Sequence, residues 1–533
     1  MAFGEFINEY MLTLITFVPV LGALILMILP TRRNDVFRWV ALIFSLIPLA
    51  LSVAAWIMFQ QNPCNALTLS ACFEQKVMWF PLLNASYHVG VDGISLTMVL
   101  LTALLTPLAI IMSWNIEDRV RVYMALFLLL EMGMMGVFVA LDLLLFFVFW
   151  EFGLVPMYFL INIWGSANRR YASFKFFIYT MAGSLGLLLS IQLIGLVTGT
   201  FDLTEIMAVW PQIEQSVPVF AGVSMSVIKS VAFWLFTLAF AIKVPVWPFH
   251  TWLPDAHTEA PTAGSMLLAG VLLKLGAYGF LRLVLPLFPY EARYFSPVLG
   301  ILAVAAIVLG AYSSFGQTDF KRLVAYSSVN HMGWVVLGIA VAAFVGIGGA
   351  YSGEQNQLNA IIAVNGAVLQ MFNHGISAAA MFAIVGMLYD RLHTRDLREM
   401  GGLWVVAPVY GGIMIFSSMA SLGLPGRNGF VSEVMVARGV FPVDPLFTVL
   451  TAISMLGLLF TGAYILKAIR HVLHGPLNGE AVARAHGASL EISLREVIAI
   501  APLLVLMLVI GVFPTWIVGV INATVTQLWG LGL

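Results

Sequence analysis

The chain alternates long uninterrupted apolar runs with short polar connections. A helix crossing the hydrocarbon core needs about 20 apolar residues, and runs of that length recur from end to end. They predict spans near 11–30, 37–59, 92–113, 121–140, 142–163, 173–197, 229–252, 262–283, 295–315, 323–345, 361–389, 404–440, 446–467 and 497–524. Inside lipid only helices and closed barrels satisfy their own backbone hydrogen bonds. A barrel would read as short alternating strands, so the pattern predicts an all-α integral membrane protein of about 14 transmembrane helices.

Two spans carry breakers. The run AFAIKVPVWPFHTWLPDAH holds Pro245, Pro248 and Pro254, and SLGLPGRNGFVSEVM holds Gly423, Pro425, Gly426 and Gly429. Proline removes a ladder donor and clashes with the preceding turn, and discontinuous helices mark ion paths in transporters. The pattern divides the chain into an N-terminal three-helix segment (1–120), a first unit (121–283), a second unit (295–470), and a loop with the final helix (471–533). Helices 4–8 and 9–13 form two five-helix repeats, each with its broken helix (7 and 12) fourth. The odd span count makes the two repeats inverted relative to one another.

Composition agrees with a lipid solvent: 61% of the 533 residues are hydrophobic and only 10% charged, against about 25% charged in a soluble domain. The formal net charge is −1, and no basic stripe suggests nucleic acid. With two cysteines, cysteine-ligated metal clusters are excluded. MAFGEFINEY lacks a basic region ahead of the first apolar run, so that run reads as a retained span. Basic residues favour the cytoplasmic side. With both termini placed on the periplasmic side, 17 Lys and Arg fall on inside connections and 5 outside, with Lys243, Lys274 and Arg427 within spans. Cys64 and Cys72 then share one outside loop, where a disulfide is as good an expectation as two free thiols.

Ionisable residues at bilayer depth need a reason, because they are expensive there. The spans contain Glu131, Glu151, Lys243, Lys274, His331, His374 and Glu433. Lys243 lies about 18 Å into its run at 1.5 Å per residue, which disfavours a snorkelling lysine. Glu151 has no local cation and requires a partner from another helix. Glu131 could instead serve a structural pair with a loop arginine, and a lone histidine is more often a satisfied core residue. As a set they read as a relay in which Glu151, Lys243, Lys274 and Glu433 carry the main proton path and Glu131, His331 and His374 a secondary one. Pairing and unpairing Glu151 with Lys243 would switch the lysine between holding and releasing a proton, with waters near the breaks bridging gaps.

The run KVPVWPFHTWLPDAHTEAPTAGSMLLAGVLLKLGAYG (Lys243–Gly279), with GVDGIS at Gly90–Ser95 and YSSVNHMG at Tyr326–Gly333, resembles the antiporter-like proton-translocating subunits of respiratory complex I, in their M-type branch, equivalent to mitochondrial chain 4. The resemblance covers nearly the whole chain. It implies that Glu151 and Lys243 are the glutamate and lysine of helices 5 and 7, Lys274 the connecting lysine of helix 8, His331 and His374 the histidines of a central hydrophilic axis, and Glu131 an acidic site of helix 4. Glu433 in helix 12 matches the M type, where L and N types use lysine. Arg427 in the same break departs from the expected small or polar residue; it would either hold Glu433 ionised or face the interface.

The resemblance further implies a translocase subunit of NADH:quinone oxidoreductase in the bacterial inner membrane, coupled to quinone reduction elsewhere in the assembly. No redox chemistry and no cofactor is expected on this chain, which shows no nucleotide fingerprint. Flavin, iron–sulfur clusters and quinone belong to partner subunits. Expected partners are L- and N-type membrane subunits, lipids and protons. The rivals are a multi-subunit cation/proton antiporter, a membrane-bound hydrogenase-type pump, and a passive membrane scaffold.

Overall fold

A computed structural model describes residues 7–31, 33–61, 72–214, 218–220, 222–346, 353–484 and 489–529. In these, the apolar runs are helices: α1 Met11–Ile28, α2 Asn34–Gln61, α3 Gly93–Met112, α4 Val120–Val139, α5 Leu143–Trp164 and α6 Arg169–Thr198. They continue with α7 Met225–Lys243, α8 Trp252–Glu259, α9 Thr262–Leu287, α10 Pro289–Gly316, α11 Phe320–Val345 and α12 Glu354–Leu392. The series ends with α13 Pro408–Leu422, α14 Asn428–Val440, α15 Pro445–Leu473, α16 Leu494–Val512 and α17 Thr515–Trp529. Thirteen described helices are long and apolar enough to cross a membrane. The shorter pair α13 and α14 occupies the stretch read as the second broken span, 404–440.

Helix starts are set chemically. The side chains of Asp92, Asp142, Asp319, Asp444 and Ser493 accept backbone N–H groups at the first turns of α3, α5, α11, α15 and α16. These donors would otherwise have no partner at the helix end.

The polar connections sort onto two faces. One carries a β-hairpin, β1 Cys72–Phe80 with β2 Ala85–Val91, plus the Asp142–Asp202 bridge and the Arg282–Asp92 pair at 3.0 Å. The other gathers Lys175–Asp255 (2.7 Å), Arg395–Asp319 (3.2 Å) and Arg391–Glu496 (2.6 Å). The arginine-rich connections therefore share one face and the hairpin the opposite one, as the charge asymmetry of the sequence requires.

Four details depart from the sequence reading. The hairpin was not among the expected elements. The last expected span, 497–524, is two helices: Pro514 lacks an N–H and disfavours helical geometry at Phe513, whose backbone leaves the helix (φ −128, ψ 68). The helix beyond, α17, docks over the ends of α3 and α12, through Gly93 N to Thr524 Oγ1 (2.7 Å) and Gln357 Nε2 to Trp529 O (2.7 Å). α5 is interrupted at Gly153, and α9 contains π turns at Leu268–Leu272 and Phe280–Val284. Cys64 and the Cys72 side chain lie outside the described residues, and with them the disulfide expectation.

Candidate functional site

The two predicted breaks are real chain interruptions. α7 ends at Lys243 and helix resumes at Trp252; α13 ends at Leu422 and helix resumes at Asn428. Gly423 and Gly426 take left-handed backbone (φ +76 and +83), which glycine adopts without the steric cost other residues meet.

At the first break Lys243 is 2% exposed, and its Nζ lies 5.1 Å from the centre of the Trp150 ring. Trp150 is fixed by donating Nε1 to Ser184 Oγ at 2.9 Å. Glu151 follows in α5, half-buried, with Oε1 buried and without a hydrogen-bond partner. Glu151 and Lys243 are electrostatic neighbours, yet no ion pair joins them among those within 4.0 Å. The two side chains are therefore near each other without direct contact. Glu131, in α4, is wholly buried with neither carboxylate oxygen hydrogen-bonded to a protein group. The loop arginine weighed as its structural partner does not reach it.

The second group is two hydrogen-bonded pairs whose histidine rings face each other. Lys274 is fully buried in α9 between the two π turns; such turns loosen the regular ladder and recur at functional sites. Its Nζ donates to the Ala269 carbonyl and lies 2.7 Å from His374 Nδ1 of α12. The His374 and His331 rings are 5.6 Å apart, centre to centre. His331 Nδ1 of α11 then meets Glu433 Oε1 of α14 at 2.9 Å. Gln370 Nε2 donates to the same oxygen at 3.1 Å, and the Tyr464 hydroxyl lies 3.3 Å from His331 Nε2. Asn373 ties α12 to the second break, donating to Asn428 O (2.7 Å) and Ser432 Oγ (3.0 Å).

The two groups abut at Gly276. A Cβ there would sit 2.8 Å from the Phe240 carbonyl and 3.0 Å from Lys243 Cβ, so only glycine lets α7 and α9 approach at the level of Lys243. Arg427 is not the partner of Glu433: its guanidinium stacks 3.9 Å from the centre of the Phe416 ring.

Two residues that the sequence reading did not single out belong to this region. His257, in α8, is fully buried, with both ring nitrogens unpartnered, and its ring stacks on Phe382 at 4.4 Å and 8°. Lys274 and Lys321 are its charged neighbours. Lys321 is buried at the start of α11, donates to the Ala260 carbonyl, and lines a 270 Å³ cavity with Glu259, Asp390 and Arg395. The signal for His257 was present: it lies in the proline-rich run after Lys243. The short polar segment around it read as a connection, which hid its burial. No group of three or more His, Cys, Asp or Glu suited to a metal ion occurs among the described residues.

A family described as NADH:quinone oxidoreductase/Mrp antiporter, TM, matches residues 140–353 and 355–461. NADH-quinone oxidoreductase subunit M of Rhodobacter capsulatus is 38% identical over 98% of this chain and 96% of its own length. The chain belongs to the NADH-quinone oxidoreductase subunit M family. The subunit M of Pseudomonas aeruginosa is 41% identical over 93% of each chain. Among solved structures, a chain of respiratory complex I from Thermus thermophilus with bound NADH superimposes with a TM-score of 0.79 at 25% identity, covering 98% of this chain and 100% of that one. A chain of the Mrp complex from Dietzia shares the fold, with a TM-score of 0.76 at 20% identity over 98% of each chain. These matches agree with the mostly helical membrane architecture.

Proposed function

We propose that this chain is the proton-translocating membrane subunit of an NADH:quinone oxidoreductase, and that protons move along the buried axis from Glu151 and Lys243 through Lys274, His374 and His331 to Glu433. The line of polar groups from Lys274 to Glu433 carries this reading. A lysine 2.7 Å from an imidazole nitrogen shares one proton with it: either the ammonium donates to neutral His374, or the imidazole donates to the neutral amine. His331 and Glu433 at 2.9 Å form the same kind of exchange unit, as imidazolium with carboxylate or imidazole with carboxylic acid. Between the two units, a gap too wide for a direct hydrogen bond is of the sort that a bridging water closes. A charge placed at Lys243 biases the whole line. Strong Coulomb interaction in a low-dielectric interior transmits that bias.

The 270 Å³ cavity beside Lys321, with His257 between Lys321 and Lys274, is suited to supply protons from the arginine-rich face. We place that face on the cytoplasmic side and both termini on the periplasmic side, on the basic-residue asymmetry. The half-buried Glu151 on the flank of the bundle suits an axis that continues into a neighbouring membrane subunit, of L type on one side and N type on the other. Electron transfer, with its flavin, iron–sulfur clusters and quinone, then belongs to other subunits.

The test is proton uptake by the assembled complex in proteoliposomes. Lys243→Ala and Glu151→Gln lower NADH-driven acidification while the complex still assembles. Normal pumping in both variants defeats the relay, and sodium/proton exchange without any redox donor points instead to an antiporter.

A further inference from the structure

The end of α15 at the arginine-rich face carries a second kind of site. Leu459 and Leu466 are 69% and 57% exposed, and seven residues apart they share one helix face. Arg470, four residues on, continues that face and is exposed. Here α15 meets a 490 Å³ cavity lined by Arg398, Arg470, His471, His474, Pro476 and Asn478. The neighbouring carboxylates are already engaged: Asp396 with Arg398 at 2.5 Å and Glu399 with Arg484 at 2.6 Å. Among the described residues, the Arg470 guanidinium and the His474 ring have no hydrogen-bond or ion-pair partner. The cavity therefore keeps one uncompensated guanidinium, that of Arg470, directly beyond an open apolar stripe, with the His474 ring free beside it as a further hydrogen-bonding group. The Gly402 N–H bonds the His474 carbonyl at 3.1 Å, which brings the exposed Trp404 close to the cavity; tryptophan favours the headgroup level of a bilayer.

We propose that this cavity binds the phosphate headgroup of an anionic phospholipid whose acyl chains lie along Leu459 and Leu466. A guanidinium matches phosphate oxygens in pairs, and basic pockets at the cytoplasmic ends of membrane helices take anionic headgroups. The proposal does not depend on the proton path. The plainer role of Arg470 and His471, complementing the partial negative charge at the end of α15, requires no ligand and predicts no lipid selectivity.

The experiment uses the whole complex, stripped of lipid in mild detergent and given phosphatidylglycerol bearing a photoactivatable group in its acyl chain. Adducts are mapped by peptide sequencing. Labelling of the Leu459–Leu466 segment is expected, falling about fivefold in Arg470→Ala, on the order of one basic contact. Unlabelled phosphatidylglycerol competes and phosphatidylcholine does not. Equal labelling in wild type and variant, equal competition by phosphatidylcholine, or labelling only elsewhere would overturn the site. Abolition by inorganic phosphate would overturn the lipid as its occupant.

Discussion

His331 and Glu433 lie 102 residues apart in the chain, yet Nδ1 of one and Oε1 of the other are 2.9 Å apart in the buried interior. The histidine comes from the unbroken α11 and the carboxylate from α14, one turn past the second break, with Gln370 of α12 donating to the same oxygen. Glu433→Gln keeps size and hydrogen bonding but removes the group that takes up and gives back a proton. The expected outcome is a loss of NADH-driven acidification of about tenfold or more, in the lower part of the range for removing a proton-transfer group, in a complex that assembles normally by native gel.

Helix approach sets that distance. A Cβ on Gly366 of α12 would fall 2.7 Å from Val436 N, and one on Gly439 of α14 would fall 2.5 Å from Ala363 N. Backbone cannot yield as a flexible side chain can. Gly366→Val is therefore expected to destabilise the α12–α14 contact by about 1–3 kcal/mol and to separate Gln370 from Glu433. Lower thermal stability of the purified complex, with reduced pumping at permissive temperature, checks it.

His257 discriminates a conducting role from a packing one. Its ring stacks face to face on Phe382, and neither nitrogen has a partner, so phenylalanine keeps the stack. His257→Phe is expected to leave assembly intact and to slow acidification several-fold. A residue that only fills space would leave the rate unchanged.

Outside the membrane spans, the hairpin is held by a titratable clasp. His88 lies 2.7 Å from Asp202 and 2.8 Å from Glu74, and Lys76 lies 2.7 Å from Asp202. Burial opposes charge on His88, but hydrogen bonds and charge from Asp202 and Glu74 outweigh it and raise its pKa. Burial likewise disfavours ionised Asp202, but His88 and Lys76 outweigh it and hold that carboxyl well below the usual range. The His88 contribution is complete below about pH 6.5 and fades as pH rises through the raised folded value. The Asp202 contribution is complete above about pH 4 and fades only as pH falls through the depressed folded value. Amide exchange of Cys72–Val91, corrected for intrinsic rate, is expected to be faster at pH 9 than at pH 6. In His88→Gln that difference disappears.

Much of this architecture was legible because lipid imposes simple rules. Spans follow from apolar length, the breaks from Pro245, Pro248, Gly423 and Gly426, and the two faces from arginine placement. Glu151, Lys243, Lys274 and Glu433 stood out because charge is rare in hydrocarbon. Their partners were not legible: Lys274 meets His374 at a separation of 100 residues, which helix packing decides and local pattern does not record. The π turns around Lys274 leave no compositional trace. His257 sat among polar neighbours that suggested a surface connection, although α8 is tucked into the bundle. The β-hairpin was hidden for the opposite reason, because attention to long apolar runs passes over two short strands. Pro514 carried a readable signal for the split of the last span, and the apolar run across it masked that signal.

The most direct test of the central claim is the initial rate of NADH-driven acidification in proteoliposomes holding the Lys274→Met complex. Methionine fills similar space without an amine beside His374. A conducting axis predicts a rate reduced to about a tenth or less, with all subunits present; a rate equal to wild type would contradict it.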